Sequence, residues 1–220
     1  MIVIPPNQNF RGLSYGYWAT QWWKWLLSKE ADLYRGDMLF LRGNVDYKPV
    51  GGLNGSPRHI DPRSIYDRTG ENRENIFEAT PIFFPVINAI FKLQDVYDGK
   101  KIESEEDMRF AARKDISEGG LMWATIRKKG ETKSRKIVSN LKDYLIESPE
   151  FSLTLSHNST LRDKMEYSWD PGTYHCVTVG YYLLISYLPP SVYRIQFGGK
   201  GRGEYLTKAS YDVTVHRRKS

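Results

Sequence analysis

The chain has 220 residues, of which 40% are apolar and 14% aromatic, with a formal net charge of +6 and a sequence pI of about 9.2. This is enough apolar material to bury the core of one large domain, and it excludes global disorder. The single cysteine, Cys176, excludes an internal disulfide framework and sits in an apolar run, as a buried thiol does.

Residues 1–13 read as an arm. Ile2-Val3-Ile4 is a short apolar run stopped by Pro5-Pro6, suited to an edge strand or to an anchor on a neighbouring chain. No basic stretch followed by an apolar one opens the chain, so a signal peptide is not expected, and no apolar run reaches transmembrane length.

Residues 14–30 hold four of the six tryptophans. On a helix, Tyr15, Trp18, Trp22, Trp25 and Leu26 share one side, and Thr20, Gln21 and Lys24 share the other. Trp23 and Leu27 widen the apolar arc, and Ser14 has the chemistry of an N-cap. A helix this apolar is expected to be covered by a large β-rich body.

Asp37 to Leu41 reads as a short strand. Residues 45–75 are rich in Gly, Pro, Asn, Asp and Arg and predict a long surface loop. Its cations, among them Arg58, Arg63 and Arg68, are balanced by Asp and Glu, which is unlike a nucleic-acid patch. Ile76 to Phe91 is a second apolar centre. Pro81 and Pro85 predict buried strands kinked there and argue against one continuous central strand. Ser104 to Ile116 reads as a helix opened by a Ser104/Asp107 capping pair.

From Leu121 onward the pattern is β. Leu121 to Arg127 and Arg135 to Val138 form the arms of a hairpin, and Asn140 to Ile146 a helical turn. Phe151 to Leu155 alternates, Tyr174 to Tyr187 is a long buried strand bent at Gly180, and Val192 to Phe197 alternates again. Gly198 to Gly203 predicts a turn, and Tyr205 to His216 the last strand. The positive excess reads as spread along the chain, with His216 to Lys219 as the one short basic cluster. The expected fold is a single mainly β domain: an antiparallel jelly-roll-like sandwich, residues 76–220 forming its main part, with an N-terminal aromatic helix and one or two minor helices.

Four stretches in order carry a resemblance: Tyr15-Gly16-Tyr17-Trp18 with Trp22-Trp23-Lys24-Trp25; Pro81 to Asn88 (PIFFPVIN); Ser148 to Leu155; and Gly180-Tyr181-Tyr182 through Pro189-Pro190 to Phe197-Gly198-Gly199. Together they resemble a family of uncharacterised bacterial proteins, mostly exported, with a tryptophan-rich opening helix. Lacking an export signal and carrying a long loop at 45–75, the chain is most similar to versions encoded by tailed phages of marine bacteria. The family supplies no catalytic residue to carry over.

The residues themselves point to no catalytic, cofactor or metal site. His59 and Asp61, with Asp67, match a common chance spacing. His175 and Cys176 are adjacent, so on a strand they face opposite ways. Glu78, Asp95 and Asp98 lie near an apolar segment and a glycosidase pair could be built from them, but nothing in the sequence marks them out. The glycine run at 198–203 lacks the ending of a phosphate loop.

Three functions remain open. The first is a non-enzymatic virion protein, made in a host cytoplasm and carried on capsid or tail. It would act in an oligomeric assembly through Ile2, Val3, Ile4, Arg58, Arg63 and Arg68, with other virion proteins as partners and neither membrane nor specific nucleic acid. The second is a carbohydrate-binding module using Trp123, Trp169, Tyr181 and Tyr182. The third is a hydrolase-like enzyme, for which the sequence offers least.

Overall fold

The computed structural model describes residues 1–27, 34–35, 38–46, 72–117, 120–155, 169–203 and 206–217. In chain order the elements are β1 (Ile2–Val3), α1 (Tyr15–Leu27), β2 (Tyr34–Arg35), β3 (Met38–Phe40), β4 (Asn44–Asp46), β5 (Asn72–Phe77), β6 (Ile82–Lys92), β7 (Val96–Tyr97), β8 (Lys100–Lys101) and α2 (Glu105–Ser117). Then follow β9 (Met122–Lys128), β10 (Arg135–Lys136), a 3₁₀ turn at Leu141–Tyr144, β11 (Leu145–Glu147), β12 (Phe151–Leu155), β13 (Gly172–Tyr187), β14 (Ser191–Lys200) and β15 (Leu206–His216).

The fold is mainly β, as the alternating runs predict. One sheet runs β13-β6-β3-β2, with β1, β11 and β12 all paired to the far side of β13. The other runs β10-β9-β14-β15, with β4 and β5 both paired to β15. The expected layers were purely antiparallel. Instead β3 pairs with β6, and β5 with β15, in parallel, so both sheets are mixed.

The sheets pack face to face through Phe84, Leu183 and Ile185 on one side and Ile195, Phe197, Tyr211 and Val213 on the other. Phe84 and Phe197 meet with ring centroids 4.5 Å apart. Further along β13, Val177 and Val179 have the same parity as Leu183 and Ile185, so they share that face. There α2 replaces the second sheet, laying Met108, Ala111, Ala112 and Ile116 on Ile87, Ala89, Val177 and Val179. The opposite face of the same sheet, with Phe83, Tyr182 and Leu184, is covered by α1.

Both helices start as the sequence dictates. Ser14 Oγ accepts from the Tyr17 amide. Asp107 accepts from the Ser104 amide while Ser104 Oγ accepts from the Asp107 amide. Tyr15, Trp22, Trp23, Trp25, Leu26 and Leu27 are all buried, and Trp18 is half-buried. Thr20, expected on the wet side, is buried as well. Its hydroxyl is satisfied by donating to the Tyr17 carbonyl at 2.7 Å.

Two expectations are corrected and a third is decided. Ile82–Lys92 is one continuous strand at the centre of its sheet, despite Pro85. A register shift opposite Tyr181/Tyr182 sets Tyr182 against Pro85 and Tyr181 against Ile87. The chain therefore bulges where proline cannot donate. Gly198 and Gly199 belong to β14 rather than to a turn. A Cβ at Gly198 would lie 2.4 Å from the Trp123 ring, so glycine is what lets the indole lie against the strand.

The third concerns the N-terminus. Of the two readings, edge strand or anchoring arm, the first holds: Ile2–Val3 is an edge strand that pairs antiparallel with Tyr187 and Ile185 of its own sheet. The Ile4 amide donates to the Leu184 carbonyl at 3.0 Å. Tyr15 Oη donates to the Ile4 carbonyl and accepts from the Leu184 amide, at 2.6 and 3.1 Å. The opening helix thus fastens the chain start to β13. Of the 45–75 loop, the ends form β4 and β5; residues 47–71 lie outside the described residues, and with them Arg58, Arg63, Arg68, His59, Asp61 and Asp67.

Candidate functional site

The face of the β10-β9-β14-β15 sheet turned away from the core is covered by neither helix. Inner side chains alternate with outer ones, so Ala124, Ile126, Ile195, Phe197, Tyr211 and Val213 fix which residues point outward. Three rows cross the strands. Trp123 faces Gly198, which faces Lys208. Lys136 faces Thr125, then Gln196, then Ser210. Arg127 faces Arg194, which faces Asp212.

The third row is electrostatically uneven. Arg194 donates from Nε and Nη2 to the two Asp212 oxygens, both at 2.8 Å. That bidentate pair engages the one carboxylate of the row. Arg127, directly opposite Arg194, forms no ion pair among the described residues. Like charges opposed across strands destabilise a sheet unless something neutralises them. Beside this row lies a shallow cleft of about 480 Å³, lined by Arg127, Lys128, Lys129 and Arg194 together with Glu131 and Asp212.

The cleft exposes a signal that the sequence reading missed. The 127–136 hairpin carries Arg127, Lys128, Lys129, Lys133, Arg135 and Lys136 against one carboxylate, Glu131. Its net of five positive charges nearly equals the +6 of the whole chain. Single neutral residues and Glu131 break the run, which hid it as a cluster; folding the two arms together concentrates it.

Several other ionisable groups that the fold brings together are paired. Glu147 accepts from Arg113 Nε at 2.6 Å and from Arg109 Nη1 at 3.3 Å, tying α2 to β11. Arg113 holds the Glu147 carboxyl below its ordinary range. Asp95 pairs with Lys92, Asp98 with Arg202, and Glu150 with the exposed His175. Of the three carboxylates from which a glycosidase pair could be built, Glu78, Asp95 and Asp98, the last two are in separate ion pairs. Cys176 points the opposite way from His175, into the core, and burial pushes its thiol up to about 12. Among the described residues no group of three or more His, Cys, Asp or Glu is placed to hold a metal ion. No helix among them is long and apolar enough to cross a membrane.

The four aromatics proposed for glycans do not form a platform. Trp169 and Tyr182 are buried. Tyr182 belongs to a closed network under α1. Asn88 Nδ2 donates to its hydroxyl, and Thr178 Oγ1 lies 2.9 Å from it. Thr178 donates to the Ala89 carbonyl and accepts from Trp23 Nε1, so Tyr182 is the donor to Thr178. Tyr181 packs on the inner face. Trp123 alone is left on the open face, half-buried against Gly198.

The proposed contact residues Ile2, Val3 and Ile4 lie together along a composite edge. β1, β11 and β12 line the same side of β13, pairing from Tyr187 to Gly172. Val3 and Ile4 turn into the packing, whereas Ile2 remains 55% exposed and Leu145 41% exposed. Comparison with family models, curated proteins and solved structures finds no match for the chain.

Proposed function

We propose that the protein is a non-enzymatic structural component of a virion, seated on capsid or tail, that acts through its surfaces. The observation that carries this reading is the composite edge. Three short strands close the side of β13, yet two large apolar side chains, Ile2 and Leu145, stay in solvent on it. Exposed apolar groups beside a rigid sheet edge are what a partner's interface core covers. The pairing of the ionisable groups into ion pairs that brace α2 and the loops favours a structural over a catalytic use of them. The resemblance to phage-encoded chains points the same way.

Ile2→Lys, alone and with Leu145→Lys, tests the reading. Both side chains are exposed, so the fold is expected to melt as before. The expected result is loss of the chain from particles released by cells that carry its gene. Normal incorporation of the double variant would remove this edge as the assembly contact.

A further inference from the structure

We propose that the open face of the β10-β9-β14-β15 sheet binds an acidic polysaccharide, stacking a sugar ring on Trp123 and placing its anionic groups at Arg127 and the basic hairpin. The proposal is independent of the virion reading, because it concerns the outer face of the other sheet, not the β1/β11 edge of β13.

Three features converge on it. The first is charge. By strand parity Arg127 and Lys136 lie on this face, whereas Lys128 and Arg135, opposite Tyr193 and Ile126, lie on the other, and Arg127 has no ion-pair partner of its own among the described residues. Arg194 is neutralised by Asp212, which leaves Arg127 as the cation of the row that an anion can engage. The second is the aromatic. Trp123 lies against Gly198 on the same face as Arg127, four residues along β9, which is about 13 Å at the rise of a strand. The indole is half-buried, and its exposed part is available for stacking against a sugar ring. The third is the row between them. Thr125, Gln196 and Ser210 are half-buried hydroxyls and an amide, able to donate to and accept from sugar hydroxyls.

These features favour a glycan over a nucleic acid. Glu131 and Asp212 line the cleft among the cations. The hydroxyls of a sugar chain can donate to Glu131, whereas a DNA phosphodiester backbone brings no donor to it. A strand of bases would also gain from several aromatic platforms, and Trp123 is one.

The test is a titration of the full chain, followed by tryptophan fluorescence at about physiological ionic strength. The probes are heparin, polygalacturonate, neutral dextran and a single-stranded oligonucleotide of matched charge. Binding of heparin alone assigns sulfate, of polygalacturonate alone carboxylate, and of both either form of the anion. Dextran is expected not to bind, and the oligonucleotide to bind at least about tenfold more weakly than the better polysaccharide. Arg127→Gln and Trp123→Ala are each expected to weaken that binding about tenfold or more. Lys129→Gln with Lys133→Gln is expected to flatten the salt dependence. If Trp123→Ala fails to fold, Arg127→Gln decides. Equal or tighter oligonucleotide binding, wild-type affinity in a folded Trp123→Ala or in Arg127→Gln, or no binding of either acidic polysaccharide would each overturn the proposal.

Discussion

The indole of Trp22 donates from Nε1 to the Leu41 carbonyl at 2.7 Å. This bond explains how Pro85 is tolerated mid-sheet. The Leu39 and Leu41 amides donate to the Pro81 and Phe83 carbonyls, as in a parallel ladder. The next rung would bring an amide at position 85 to the Leu41 oxygen. Proline has none, and the aromatic helix supplies the donor in its place.

Trp22 is therefore expected to hold the fold by both packing and a hydrogen bond. Trp22→Ala should cost about 3–5 kcal/mol in denaturant unfolding. Trp22→Phe, which keeps most of the ring but strands the Leu41 oxygen, should cost about 1–3 kcal/mol. A Phe variant as stable as the parent would show that water replaces the indole.

Deleting Met1 to Pro6 is expected to destabilise the isolated chain. It removes the Ile4–Leu184 hydrogen bond, the Ile4 end of the Tyr15 bridge, and the packing of Val3 and Ile4. The loss should be on the order of 2–4 kcal/mol in denaturant melts. Unchanged melting would restore the reading of these residues as a free arm.

Stability is expected to fall with rising pH through the titration of Glu74. Burial pushes its carboxyl from the ordinary 4.5 up to about 7, partly opposed by Arg42. A raised carboxyl binds its proton more tightly in the folded state. The contribution is fully present below about pH 4.5 and is lost as the pH climbs to about 7. Thermal melts across this window should show the decline, and Glu74→Gln should remove it. A decline that persists in the variant would assign it to another group.

Cys176 is expected to resist thiol reagents in the native protein, because the thiol is buried and its ionisation is suppressed. Labelling should track global unfolding in denaturant. Rapid labelling without denaturant would mean that β13 opens locally at this position.

The sequence revealed most of the layers because periodicity reports burial. The alternation of Phe151 to Leu155 and of Val192 to Phe197, and the capped helices at Ser14 and Ser104, appear where their patterns place them. What it hid depends on distant partners. Pro85 reads as a strand breaker until Trp22 is seen serving Leu41 from another element. Ile2-Val3-Ile4 reads as a loose arm because its partner, β13, lies far along the chain. Tyr182 reads as a platform candidate because the sequence does not show which parity of β13 meets α1, and Trp169 because it lies outside any strand and is buried by distant partners. The candidate site was half legible. Trp123 was singled out, but the basic hairpin beside it was diluted in sequence and concentrated only by pairing β9 with β10.

The central claim, that the chain is a virion component, is tested most directly by quantitative mass spectrometry of gradient-purified particles from cells that carry its gene. The account predicts that the chain co-sediments with the particles in a fixed ratio to capsid or tail subunits. Its absence from the particles, while abundant in the same lysate, would contradict that claim.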